Sequence, residues 1–291
     1  MSGVPAAEID IDVALVARLV ELQCPEMAGR PIAFVGSGWD NELDRLGDHH
    51  VARLPRRQAA AELVEHEQRW LPSLSPVLPI SIAAPVFAGH PAGDYPWRWS
   101  ICPWFPGAPA SESRLVDPAA GAEQLGRFVA ALHQPSPPDA PANPHRGVPL
   151  ADRDERTRAS VERLDGVIDV PATIAGWERA LAVPAWTRPA VWLHGDLHPG
   201  NVVVHGGRIE AVVDFGDVCG GDPATDLLIA WSLFDRPARE VFRAAAAVDD
   251  DTWERGRGWA LTHSVAVLAA SADNPAYMAF GRRGIAAALG T

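Results

Sequence analysis

Three side chains stand at spacings that let them act as one group: Asp196, Asn201 and Asp214. The first two belong to the run His194-Gly195-Asp196-Leu197-His198-Pro199-Gly200-Asn201, and the third opens Asp214-Phe215-Gly216-Asp217. Between them lie two short apolar runs, Val202-Val203-Val204 and Ile209 to Val213, separated by Gly206-Gly207, so this stretch reads as a β-hairpin. Such a hairpin brings Asn201, at one outer end, beside Asp214 at the other. Asp196 lies in a loop entered from the apolar strand Val191 to Leu193. Amide and carboxylate oxygens are the hard ligands that hold a magnesium ion bridging nucleotide phosphates. Asp196 is then free to orient a hydroxyl and accept its proton. The chemistry that suits this set is phosphoryl transfer. His198 is a second catalytic candidate, placed in the loop either to approach the transferring phosphate or to brace it.

The pattern His-x-Asp-x-x-x-x-Asn followed by Asp-Phe-Gly has the spacing of the kinase catalytic set. With Gly195 at its second position and His198-Pro199 inside the loop, it resembles the aminoglycoside phosphotransferase family of small-molecule kinases. Leu54-Pro55-Arg56-Arg57 adds some likeness to macrolide phosphotransferases. The resemblance implies an α+β, bilobal protein-kinase-like fold. Residues 1–104 would form a nucleotide-binding N-lobe around a five-stranded antiparallel sheet, and residues 105–291 a mostly helical C-lobe. It also implies ATP or GTP as co-substrate, Mg²⁺, and a small acceptor with a hydroxyl group. An aminoglycoside is the first candidate, with a macrolide or a metabolite such as an aminoalcohol or sugar as the alternative.

Other readings compete. Asp and Asn beside Gly and Pro are ordinary turn formers. Asp196 and His198 would also suit a dinuclear metallophosphatase, but apart from the adjacent His49 and His50 the remaining histidines are scattered singly. A nucleotide-sensing pseudokinase would keep the fold without the reaction. The joint presence of Asp196, Asn201 and Asp214 argues against it, whereas the lack of lysine argues for it.

The elements that must position these residues can be followed along the chain. An amphipathic helix over 10–23 opens it. Three strands follow, over 31–35, 41–46 and 50–54, separated by Gly36-Ser37-Gly38 and Gly47-Asp48. In the kinase architecture the first of these turns covers the nucleotide phosphates with backbone N–H groups. The chain contains 25 Lys and Arg residues, every one of them Arg. A Walker A loop, which needs a lysine, is thereby excluded. The resemblance places Arg53 where the family has its phosphate-binding lysine, and a guanidinium fork suits phosphate oxygens. It points to Glu67, on the helix over 57–74, as the partner of Arg53, with Glu65 as the alternative. Strands over 76–87 and 97–104 would complete the sheet. The second of these leads into the hinge, where backbone groups around Ile101, Cys102 and Trp104 would meet the nucleotide base. Pro103 offers no N–H there.

Further helices are expected over 117–134, 152–164, 171–181, 222–234, 237–248, 251–272 and 274–289, with a proline-rich loop over 135–149. The resemblance gives Asp226 a supporting role toward the catalytic loop. Asp249, Asp250, Asp251 and Glu254 could hold ammonium groups of an acceptor or simply start a helix, while Trp253 and Trp259 would suit an apolar one. A net charge of −12 argues against nucleic acid as a partner. The acidic opening, residues 1–12, lacks a signal-peptide pattern, and no apolar run is long enough to span a bilayer. Cys24, Cys102 and Cys219 are three in number and far apart, which fits free thiols in a cytoplasmic protein.

Overall fold

Aspartates start five of the helices in the computed structural model, which describes residues 6–271 and 274–290. Asp12, Asp117, Asp169, Asp235 and Asp249 each accept a hydrogen bond from the backbone N–H three residues on. These caps satisfy N–H groups that have no partner within the helix. Part of the chain's acidity is thus structural.

In order, the elements are α1 (Val13–Gln23), β1 (Ile32–Ser37), β2 (Asn41–Leu46), β3 (His50–Pro55), α2 (Gln58–Leu74), β4 (Ser81–Ile82), β5 (Phe87–Gly89), β6 (Trp99–Pro103) and β7 (Ala108–Pro109). They continue with α3 (Pro118–Leu132), α4 (Asp154–Glu162), α5 (Val170–Leu181), β8 (Val191–Leu193), β9 (Val202–His205), β10 (Arg208–Val212), β11 (Cys219–Gly221), α6 (Ile229–Leu233), α7 (Arg236–Ala246), α8 (Asp250–Ala270) and α9 (Pro275–Leu289). The N-lobe sheet has five antiparallel strands in the order β1-β2-β3-β6-β5. Its core gathers Leu46, Ala52, Leu54, Trp99 and Ile101 with Leu15, Val16 and Leu19 of α1. A separate, larger core fills the helical C-lobe around Phe128, Trp177, Phe242, Trp253 and Trp259. No helix among the described residues is long and apolar enough to cross a membrane.

The stretch 76–87 is not the single strand expected. Pro76, Pro79 and Pro85 remove ladder donors, and the segment divides. Ser81–Ile82 pairs in parallel with β10, in a four-stranded sheet of order β4-β10-β9-β7. Only Phe87–Gly89 joins the N-lobe sheet. The helix expected from Asp222 begins as a 3-10 segment, Pro223–Leu228, before α6. The expected end of α8 at Ala272 lies outside the described residues, as do the first five residues of the acidic opening.

One buried group opposes this packing. Asp44 shares a face of β2 with Leu46 of the N-lobe core, and its Oδ2 has no hydrogen-bond partner among the described residues. Burial, reinforced by Glu42, pushes its carboxyl up to about 6. A carboxyl whose pKa is raised on folding weakens the fold as pH climbs through that value. Asp44→Asn is therefore expected to raise stability by roughly 1 to 3 kcal/mol at about pH 8. Thermal unfolding should show that gain fading as pH falls toward about 4.

Candidate active site

The loop that carries Asp196 begins where β8 ends (Leu193), and its backbone is pinned from below. Asp226, fully buried, accepts from the backbone N–H groups of His194 and Gly195, both at 2.9 Å. His133 Nε2 lies 3.1 Å from the same carboxylate. The His194 ring closes the loop sideways. Its Nδ1 accepts from Asp196 N–H at 3.2 Å, so its Nε2 carries the proton and donates to Val213 C=O at 3.0 Å. Gly195 adopts φ +84°, and a Cβ there would stand 2.3 Å from the Asp217 carbonyl oxygen. Both facts restrict the position to glycine.

The hairpin of β9 and β10 does what its sequence pattern requires. Val213 N–H donates to Asn201 C=O at 2.9 Å, locking the two ends together. Asn201 Nδ2 donates to Asp196 C=O at 2.9 Å, which leaves the amide oxygen as the outward, accepting end. Asp214 is held at φ 63°, a strained conformation for a residue other than glycine. Its side chain is 57% exposed into the cleft, and Asn201 and Asp214 share one cavity wall. Two hard oxygen ligands on one wall, with room for phosphates and water, fit Mg²⁺.

Arg53 reaches the same point from the N-lobe. Along β3, Ala52 and Leu54 enter the core while Val51 and Arg53 face the cleft, the alternation of a strand. Arg53 Nη1 donates to Glu67 Oε1 at 2.6 Å and Nη2 to Asp214 Oδ1 at 2.5 Å. With the Asn41 amide turned so that its oxygen faces the guanidinium, that oxygen accepts from Nη2 and Nε, both at 3.1 Å. Glu65 instead lies on the surface, 3.5 Å from Arg98. Burial pushes Glu67 up to about 7, against the pull of Arg53. The pair with Glu67 and the neighbouring Asp214 keep Arg53 charged even though burial works against it. Arg56 and Arg57 brace the first turn of the lobe, through Gly38 C=O at 3.0 Å and Asp40 at 2.6 Å.

The remaining nucleotide-side residues divide. A cavity of about 380 Å³ between the lobes is lined by Gly38, Trp39, Arg53, Cys102, Trp104, Phe105, Asn201 and Asp214, among others. Gly36 and Ser37 are not on its wall. They pair with Leu43 and Glu42 in the β1–β2 ladder, and the Ser37 hydroxyl donates to Glu42 at 3.0 Å. Gly38 donates its N–H to Asn41 C=O at 2.8 Å. Ile101 points into the N-lobe core, and its C=O accepts from Val86 N–H. Trp104 N–H donates to His49 C=O. With Pro103 between them, most hinge groups expected to meet a base are thus already engaged. Cys102 faces the cavity with its thiol pushed up to about 12 by burial, which disfavours the thiolate.

A second cavity, about 400 Å³, adjoins the first and is lined by Trp39, Asp40, Arg53, Arg146, Asp196, His198, Asp214 and Asp217, among others. Here the structure supplies a residue that sequence reasoning missed. Arg146, from the proline-rich loop, donates from Nη2 to Asp196 Oδ1 at 2.6 Å. His198 Nε2 lies 3.4 Å from the other carboxylate oxygen. Burial works to raise the Asp196 carboxyl, but the His198 hydrogen bond and the Arg146 charge outweigh it and hold the group well below the usual carboxylate range. His263 of α8 stacks on His198 with ring centres 5.9 Å apart, and burial, aided by His198, pushes it down to about 4.

The acceptor candidates on α8 fall elsewhere. Asp249 caps that helix and pairs with Arg188, and Asp250 pairs with Arg243. They lie roughly 20 Å along the helix from His263 at 1.5 Å per residue. Trp253 and Trp259 are core residues. Among the described residues no group of three or more His, Cys, Asp and Glu could hold a metal ion.

Comparisons with known proteins bear on the fold and the family. The chain's fold matches the GDP complex of aminoglycoside 2'-phosphotransferase-IIIa at a TM-score of 0.70 and 17% identity, covering 96% of this chain and 99% of that one. A streptomycin–ATP–APH(2")-IIa ternary complex matches at 0.61 and 16% identity, covering 97% of each chain. Macrolide 2'-phosphotransferase MphH from Brachybacterium faecium matches at 0.59 and 22% identity, over 95% of this chain and 97% of that one. A search of curated proteins gave no match. At these identities the likenesses establish a kinase-like fold. The family model described as "phosphotransferase enzyme family" matches residues 31–259, well over half of the chain. The chain, with its five-stranded N-lobe, helical C-lobe and cleft between them, belongs to that phosphotransferase family.

Proposed function

We propose that the protein transfers the γ-phosphoryl group of ATP or GTP to a hydroxyl of a small molecule. The observation that carries this reading is the meeting of Asp196, Asn201 and Asp214 on the walls of two adjoining cavities, one largely apolar and one polar. The larger apolar surface suits a nucleoside, with its phosphates directed toward Arg53, Asn201 and Asp214. Bound Mg²⁺, held by Asn201 and Asp214, would neutralise charge on the phosphates. Asp196 orients the acceptor hydroxyl and takes its proton as the acceptor oxygen bonds to the γ-phosphorus. The bond from that phosphorus to the β–γ bridging oxygen breaks, and the nucleoside diphosphate leaves. His198, whose Nε2 lies 3.4 Å from Asp196 Oδ2, helps keep that carboxylate turned toward the acceptor.

For the acceptor, an aminoglycoside is the first compound class to test, because structural neighbours were solved with kanamycin, streptomycin and gentamicin. Macrolides and cellular aminoalcohols complete the panel. Nucleotide consumption measured across this panel tests the reading, and no consumption with any hydroxyl compound would count against it. The cation site has its own test. Nucleotide affinity in Asp214→Ala should lose at least about tenfold of its Mg²⁺-dependent gain, since one of two protein ligands is removed. Titration calorimetry with and without Mg²⁺ measures this, and an unchanged metal dependence would remove Asp214 from the site.

A further inference from the structure

We propose that Arg146 is a positioning residue for Asp196, and that the loop over 135–149 exists in its present form to deliver it. This rests on the phosphotransfer reading above. A carboxylate that must meet one lone pair to one hydroxyl gains from having its rotamer fixed by a neighbour, as a catalytic base does when a third group orients it. Arg146 meets this need geometrically: its Nη2 lies 2.6 Å from Asp196 Oδ1, and its Nε lies 3.6 Å from Asp217 Oδ2. One guanidinium therefore spans the catalytic loop and the segment that follows Asp214.

The loop that carries Arg146 is fastened on both sides of it. Asn143 Nδ2 donates to Asp217 Oδ1 at 2.7 Å, while its own Oδ1 accepts from the N–H groups of His145 and Arg146 at 2.8 and 3.1 Å. On the other side, Gly147 N–H donates to the Thr225 hydroxyl at 3.0 Å, and its C=O accepts from Asp222 N–H at 2.9 Å. Gly147 has φ +67°, and a Cβ there would stand 2.7 Å from Leu193 Cδ1 and 3.0 Å from Gly221 Cα. A loop that merely crosses the surface needs none of these ties. Arg146 and Asp196 are also about three-quarters shielded, with side-chain exposures of 22% and 24%. A freely exposed ion pair would contribute little; here the pair is partly desolvated and geometrically constrained.

The test uses Arg146→Gln, Arg146→Lys and Asn143→Ala in the full chain. In Arg146→Gln, kcat should fall about ten- to hundredfold, the size of effect expected from misplacing a reacting group. The nucleotide KM and the thermal midpoint should stay close to wild type. Arg146→Lys should recover part of kcat through its charge but not all of it, because the fork to Asp217 is lost. Asn143→Ala, which keeps the arginine but loosens its loop, should lower kcat by less. An unchanged kcat in Arg146→Gln overturns the proposal, as does a loss matched by equal losses in nucleotide binding and stability. A crystal structure of Arg146→Gln decides the matter without turnover: the Asp196 carboxylate should leave its present rotamer. If it keeps that rotamer, Arg146 does not position it. Should the wild type transfer phosphate to no acceptor, the reaction reading fails, and the rotamer result still judges the contact.

Discussion

Asp196→Asn is expected to lower turnover by about 10²- to 10⁴-fold, the usual cost of removing a general base, while nucleotide binds nearly as before. The two parts of this expectation come from separate contacts. The Asp196 side chain touches Arg146 and His198, both on the polar side of the cleft. The link to the proposed cation site runs through its backbone, where Asn201 donates to the C=O. Asparagine keeps the backbone and the volume, and one amide oxygen can still accept from Arg146. It removes the charge and the basicity. Steady-state kinetics together with calorimetric nucleotide binding check the prediction. Wild-type turnover in the variant would remove Asp196 from the chemistry, and lost binding would mean that the substitution had disturbed the Asn201 side instead.

Arg53→Ala carries the second large effect, on stability as well as on nucleotide use. The substitution leaves Glu67 buried without its partner and Asp214 without a cation. Breaking one side of a buried pair typically costs about 3 to 5 kcal/mol. Glu67 has a partial escape, because burial has already pushed it up to about 7 with Arg53 in place. Without Arg53 its pKa should climb further, so it takes up a proton on folding. A carboxyl with a raised folded pKa loses its contribution as pH rises through that value. The penalty of Arg53→Ala should therefore be modest near about pH 6 and larger near about pH 9. Turnover should drop at least about a hundredfold if, as proposed, the phosphates lie against Arg53 beside Asp214 and lose its charge. Arg53→Lys should recover only part of the activity, because an ammonium cannot hold Glu67 and Asp214 as a fork does. Denaturant unfolding at the two pH values, with kinetics on both variants, tests this. A variant that unfolds equally at both pH values, or that keeps full turnover, would contradict the role.

What could be read from the sequence follows from how local each signal is. The β9–β10 hairpin is a contiguous pattern with its own turn glycines, so the meeting of Asn201 and Asp214 was legible without any distant contact. Arg53 was reached through the family resemblance, which sets a phosphate-binding cation on the third strand of a chain that has no lysine to fill that place. Its pairing with Glu67 and not Glu65 is a matter of helix rotation, which periodicity alone left open. Arg146 was illegible because its function depends on contacts across the fold. Its neighbours Asn143 and Gly147 look like ordinary loop residues until Asp217, Thr225 and Asp222 are brought against them. At the hinge, backbone pairing that only the fold reveals engages the Ile101 carbonyl and the Trp104 N–H. The 76–87 segment was read as one strand although its prolines mark the breaks. The acidic run at 249–251 divided as charge clusters often do, into a helix cap and ion pairs.

Phosphoryl transfer to a hydroxyl leaves a phosphorylated product that can be sought directly. Wild type and Asp196→Asn would each be incubated with ATP or GTP, Mg²⁺ and the panel of aminoglycosides, macrolides and aminoalcohols, and the acceptors then examined by mass spectrometry. With wild type one acceptor class should gain the mass of a phosphoryl group in step with nucleoside diphosphate release, and with Asp196→Asn this gain should nearly vanish. Equal product from both proteins, or phosphoester hydrolysis by wild type with transition metals and no nucleotide, would contradict the phosphotransfer reading.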